Sequence, residues 1–87
     1  MKNDIEELRK EIDRIDEQIV ALLVDRLCVA KEIGKVKLDN REQITDNKRE
    51  SEIYNSINNT VPDNLSKSIK EIYNTIITIS KKIQSNL

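Results

Sequence analysis

Arg26 stands where the first helical pattern of this chain needs an apolar residue. Ile5, Leu8, Ile12, Ile15, Ile19 and Leu22 advance by alternating threes and fours, the a/d rhythm of a helix packed against other helices, and Val29, Ile33 and Val36 resume it. Position 26 is the next a-type slot. A guanidinium on such a seam needs a carboxylate or a bound anion, because burying it unpaired costs several kcal/mol or more. Lys37 follows eleven residues later, three turns plus about 20°, so it projects from the same side of the helix roughly 16 Å further along. Two long cationic arms on one face can hold a small anion between them.

Other polar residues recur at helical spacing beside apolar ones. Asp46, Glu50, Ile53 and Ile57 lie at i, i+4, i+7 and i+11, a face that is acidic at one end and apolar at the other. Tyr73, Ile77, Ser80 and Gln84 form a similar row further on. Arg9 is seventeen residues before Arg26, about 25 Å along the axis and about 100° round it, out of reach of a metabolite held by Arg26. If Arg9 serves the same site, it arrives from a second, antiparallel copy of the helix. Each residue also has a plainer reading. Arg9 and Lys37 taken singly are ordinary surface cations, Asp46 and Glu50 complement a helix macrodipole, and Ser80 and Gln84 form a polar helix edge. An internal ion pair of Arg26 with Asp46 or Glu50 accounts for all of them without a ligand, so at this point both readings stand.

The elements that must carry these residues are helices. From about Asp4 to about Leu38 there is no Pro and a single Gly, which predicts one helix of roughly 35 residues, closed by the turn-type pair Asp39 and Asn40. Gly34 within it reads as a point of close packing. Thr45 or Asp46 caps a second helix running to about Asn59. After the turn of Asn58 to Asn64, with Asp63 or Asn64 as cap, a third helix runs from about Leu65 to about Ser85, with Leu65, Ile69, Ile72, Ile76, Ile79 and Ile83 on one seam. The fold reading is all-α, three helices of long, medium and long length, in a single domain spanning residues 1–87.

Eighty-seven residues with no Phe or Trp and two Tyr must build a core from Ile, Leu and Val alone. A core that thin favours extended seams shared with a partner chain. Fifteen basic residues against sixteen acidic, interspersed in sign, lack the electrostatic footprint of a nucleic-acid binder. One Cys excludes an intramolecular disulfide, and without His a zinc or haem site is hard to assemble; Cys28, between Leu27 and Val29, reads as core filler. The stretch from Met1 to Lys10 is charged and has no apolar run of the leader type, and nothing approaches the roughly 18 apolar residues of a membrane span, so a cytoplasmic protein is expected.

The ordered set is more specific than its parts. Leu8-Arg9-Lys10-Glu11-Ile12 followed by Asp16, Leu22-Leu23-Val24-Asp25-Arg26, Ala30 to Lys37, Asp46-Asn47-Lys48-Arg49-Glu50, and finally Ser80 and Gln84 one turn apart resemble the all-helical chorismate mutases over nearly the whole chain. Where many members carry a Pro just ahead of the Asp, this chain reads Glu42-Gln43-Ile44-Thr45. The resemblance implies an intertwined homodimer with antiparallel long helices and two equivalent sites. Each site would take Arg26, Lys37, Asp46, Arg49, Glu50, Ser80 and Gln84 from one chain and Arg9 from the other.

The activity implied is the pericyclic rearrangement of chorismate to prephenate in phenylalanine and tyrosine biosynthesis, with no metal and no cofactor. Lys37, Gln84 and Glu50 would be the catalytic residues, and Arg9, Arg26, Asp46, Arg49 and Ser80 would bind the dianion. Two rivals remain at the level of sequence: an isochorismate-pyruvate lyase on the same fold, and a non-catalytic helical dimer whose seam arginine pairs internally with Glu50.

Overall fold

The computed structural model describes residues 4–87, so the first three residues of the charged stretch read from Met1 lie outside the described residues. Three helices follow in order: α1 over Asp4–Asn40, α2 over Asn47–Thr60 and α3 over Asp63–Ser85, with no strand among the described residues. Asp4, Glu6 and Glu7 in the first turn of α1 and Lys37 in its last turn both suit the helix dipole.

The end of α1 is a Schellman turn. Arg41 takes a left-handed φ of 58°, its N–H bonds the Leu38 carbonyl at 3.2 Å, and the Glu42 N–H bonds the Lys37 carbonyl at 2.8 Å. Glycine normally fills that position, and an arginine there costs about 1–2 kcal/mol. Helix α1 thereby extends two residues beyond the expected stop at Leu38, and the chain reverses toward α2.

Asp46, rather than Thr45, caps α2: its carboxylate accepts from the Arg49 N–H at 3.0 Å. Helix α2 stops where Val61 is forced extended ahead of Pro62 (φ −97°, ψ 136°). Pro62 then replaces Asp63 and Asn64 as the cap of α3. Its carbonyl accepts from both Leu65 and Ser66, so the helix starts at Asp63, two residues earlier than the periodicity predicts.

Helix α3 packs on the C-terminal half of α1 and on α2, while α1 and α2 share no close backbone contact. The meeting point is small. Ala30, Ile57 and Ile77 are the buried apolar residues among those described, with Gly34 and Ser80 buried beside them. The row Tyr73, Ile77, Ser80 and Gln84 therefore faces inward, and the expected seam beside it is left half-exposed at Leu65, Ile72 and Ile79. Cys28 is exposed rather than core filler, because it lies about 200° round α1 from Ala30, on the face turned away from α3.

Gly34 is a point of close approach, as its place in the helix suggested. A Cβ there would sit 2.9 Å from Gln84 Cα and 3.1 Å from Gln84 Cβ, so the missing side chain lets α3 lie against α1 at that level. Beyond this junction α1 continues alone. Leu8, Ile12, Ile15, Ile19 and Leu22 are 47–66% exposed, and the chain measures 62 × 26 × 15 Å. Its radius of gyration of 16.7 Å far exceeds the roughly 12 Å of a compact domain of this length.

Candidate active site

A cavity of about 420 Å³ opens where the C-terminal half of α1, the start of α2 and the C-terminal half of α3 converge. Arg26 and Lys37 enter it from α1, Asp46, Arg49 and Glu50 from the start of α2, and Ser80 and Gln84 from α3. These are all the site residues expected from the sequence except Arg9, which lies exposed on the projecting half of α1, away from the cavity. Val29, Ile33, Ile53 and Ile77 supply an apolar wall. The volume suits a small metabolite.

Arg26 sets the geometry. Its Nη1 donates to Ser80 Oγ at 2.8 Å, and its guanidinium carbon lies 5.8 Å from the centroid of the Tyr73 ring. Among the described residues no carboxylate lies within ion-pair distance of it. The internal pair with Asp46 or Glu50 is therefore absent: Asp46 caps α2, and Glu50 accepts from Lys81 Nζ at 3.0 Å. A guanidinium has five N–H donors in a planar fork, so most of its donors remain for a planar anion. Ser80, accepting from Arg26, keeps its own hydroxyl proton to donate.

Lys37 also has no carboxylate partner among the described residues. Its Nζ donates to the Ile44 carbonyl at 2.7 Å, which ties the loop before α2 to the end of α1. Arg49 lies along α2 toward Glu52 at 3.2 Å, an exposed pair of the kind that contributes little to stability. Gln84 brings a buried carboxamide oxygen with no hydrogen-bond partner among the described residues, a group whose desolvation costs about 1–3 kcal/mol.

Lys81 lines the cavity and was missed in the sequence, as was the Tyr73 ring under Arg26. The signal for Lys81 was present: it lies four residues after Ile77 and three before Gln84, on the face that both share. With it the cavity carries four cations against two carboxylates, an excess of two positive charges. Three helices, an aliphatic wall and an excess of cations over carboxylates give the cavity the character to suit a small polyanion.

The sequence matches the family described as chorismate mutase type II over residues 8–85. It is 31% identical to a chorismate mutase of Methanocaldococcus jannaschii over 86 residues, 97% of this chain and 87% of that protein. It is 48% identical over 54 residues to a bifunctional chorismate mutase/prephenate dehydratase of Aquifex aeolicus, covering 62% of this chain but only 15% of that longer protein. In three dimensions it superposes on a conserved hypothetical protein from Pyrococcus furiosus with a TM-score of 0.79 and 37% identity, over 97% of this chain and 99% of that one. The chain belongs to the chorismate mutase type II family. It is accordingly an isomerase of the chorismate mutase type.

Proposed function

We propose that the chain acts as a homodimer, each cavity binding one chorismate and completed by the partner's Arg9, to form prephenate in aromatic amino acid biosynthesis. Chorismate is a dianion, and its rearrangement is a concerted pericyclic step that needs no nucleophile, metal or cofactor. The protein has two tasks: to hold the enolpyruvyl arm over the ring in the reactive conformer, and to stabilise the charge that separates as the carbon–oxygen bond stretches.

Arg26 and the partner's Arg9 take the two carboxylates, and Ser80 donates its hydroxyl proton to one of them. Lys37 and Gln84 flank the ether oxygen, where negative charge grows. Glu50, with Asp46 at the start of α2, accepts the ring hydroxyl, and Arg49 keeps that end in register. Even a millionfold acceleration asks for about 8 kcal/mol of transition-state stabilisation. A few preorganised donors in an apolar-walled site supply stabilisation of that order.

The observation that carries the reading is the state of Arg26. It is pinned by Ser80 and Tyr73, without a carboxylate, at the wall of a cavity whose cations outnumber its carboxylates, as a dianionic ligand requires. The dimer is supported by the half-exposed aliphatic stripe on α1 and by the distance of Arg9 from its own cavity. Residues 1–87 act in this scheme as one helical domain of a cytoplasmic enzyme that binds neither nucleic acid nor membrane. Among the described residues no helix is long and apolar enough to cross a membrane.

Incubation of the purified protein with chorismate, following its absorbance loss and identifying the product, tests the proposal. Prephenate is the expected product. Pyruvate release from isochorismate would instead mark a lyase, and inertness toward both would mark a non-catalytic helical module.

A further inference from the structure

The ion pair between Lys81 and Glu50 differs in kind from every other in the described residues. Lys10–Glu7, Lys35–Glu32 and Arg49–Glu52 are i,i+3 pairs along single helices, with each side chain more than half exposed. Lys81–Glu50 joins α3 to α2 across thirty-one residues, at 3.0 Å, with side chains only 33% and 26% exposed. Both residues line the cavity. The proposed reaction uses the charge of Lys81 as part of the cavity's cationic excess but assigns it no contact with the substrate.

We infer that Lys81 is a positioning residue: by donating from Nζ to Glu50 Oε2, it fixes the Glu50 carboxylate and leaves Oε1 as the acceptor for the substrate's ring hydroxyl. The inference rests on the assignment of that hydroxyl to Glu50 made above. Glu50 sits in the first turn of α2, and its side chain has several rotatable bonds, so an unheld carboxylate there samples many orientations. Other charged residues line the same cavity: Arg26 and Lys37 from α1, with Asp46 and Arg49 from the start of α2. Arg26 is engaged with Ser80, Lys37 with the Ile44 carbonyl, and Arg49 with Glu52. Lys81 alone among these cations is bonded to Glu50. A fixed acceptor loses less conformational freedom when the hydroxyl arrives, and a charge-assisted bond of this type holds it more firmly than a neutral one.

The test compares chorismate with its ring-hydroxyl methyl ether, which cannot donate that hydrogen bond. Lys81→Met is expected to lower kcat/KM for chorismate about tenfold more than for the methyl ether, the shared part of any loss reporting the cation removed from the cavity. In a Glu50→Gln background the same substitution should no longer distinguish the two substrates. Lys81→Arg, which keeps a cation at the site, should stay within about threefold of the parent.

Equal losses on both substrates, a difference between them that persists in the Glu50→Gln background, no loss at all, or an arginine variant as damaged as the methionine one would each overturn the inference. Thermal melting of each variant separates these results from unfolding, and a Lys81→Met chain that does not fold leaves Lys81→Arg and the Glu50→Gln double variants to decide. If Glu50→Gln by itself fails to discriminate between the two substrates, the assignment of Glu50 to the hydroxyl falls, and the inference falls with it.

Discussion

Arg26 reaches across from α1 to donate a 2.8 Å hydrogen bond to Ser80 Oγ, fifty-four residues later in the chain, and this bond spans the wall of the cavity. It joins the residue that breaks the apolar pattern of α1 to a buried hydroxyl on α3. The partner of the misplaced cation is thus a neutral donor-acceptor, which orients the guanidinium without neutralising it.

Arg26→Ala should therefore abolish catalysis while sparing the fold. Removal leaves Ser80 without its donor, at a cost of about 1–2 kcal/mol, and strands no carboxylate. A buried ion pair broken on one side would cost about 3–5 kcal/mol. The expected result is a fall in kcat/KM of at least about a hundredfold, with a melting temperature lowered by no more than roughly 15 °C. A much larger drop in melting temperature would point to a structural role for Arg26.

The dimer proposal is tested by sedimentation at micromolar concentration, where a stable folded monomer would refute it. Mixed subunits give a sharper result. Arg9→Ala and Arg26→Ala chains, each inactive alone, should together recover about a quarter of the parent activity, because half of randomly mixed dimers carry one intact site of two. Recovery well below that value after verified subunit exchange would show that Arg9 serves its own chain or none.

Replacing Gln84 by Glu places a titratable group beside the reacting ether oxygen. Ionised at pH 7 it repels the developing negative charge; protonated, it donates a hydrogen bond, and a carboxyl of this type ordinarily titrates near about 4.3. The variant should be poor at neutral pH and recover as pH falls, whereas the parent should show no such gain. Identical pH–rate profiles for the two proteins would remove Gln84 from the reacting oxygen.

Gly34→Ala tests how α3 is held against α1. Alanine favours a helix interior by about 1 kcal/mol over glycine, yet here its Cβ would lie 2.9 Å from Gln84 Cα, against backbone that cannot swing aside. The contact outweighs the propensity, so the variant should melt lower than the parent and lose activity through displaced Gln84. A melting temperature above that of the parent would show that α3 is free to retreat.

The helices and most of the cavity's residues were legible in the sequence because both depend on local rules. Helical spacing places Arg26 and Lys37 on one face of α1 and Ser80 and Gln84 on one face of α3, and a capping aspartate with a carboxylate four residues on marks the start of α2. The same periodicity failed at boundaries set by backbone hydrogen bonds, as where the Pro62 carbonyl starts α3 two residues early.

Partner choice was not local. Arg26 had two carboxylates within a plausible reading, and only the tertiary packing gave Glu50 to Lys81 and left Arg26 with Ser80 and Tyr73. Pairwise contacts between helices depend on how close the axes come and how each is rotated, and in this chain that closeness is set at Gly34 by an absent side chain. The pattern of residues fixes which face of a helix turns inward; the packing of α3 against α1 and α2 decides what each residue on that face meets.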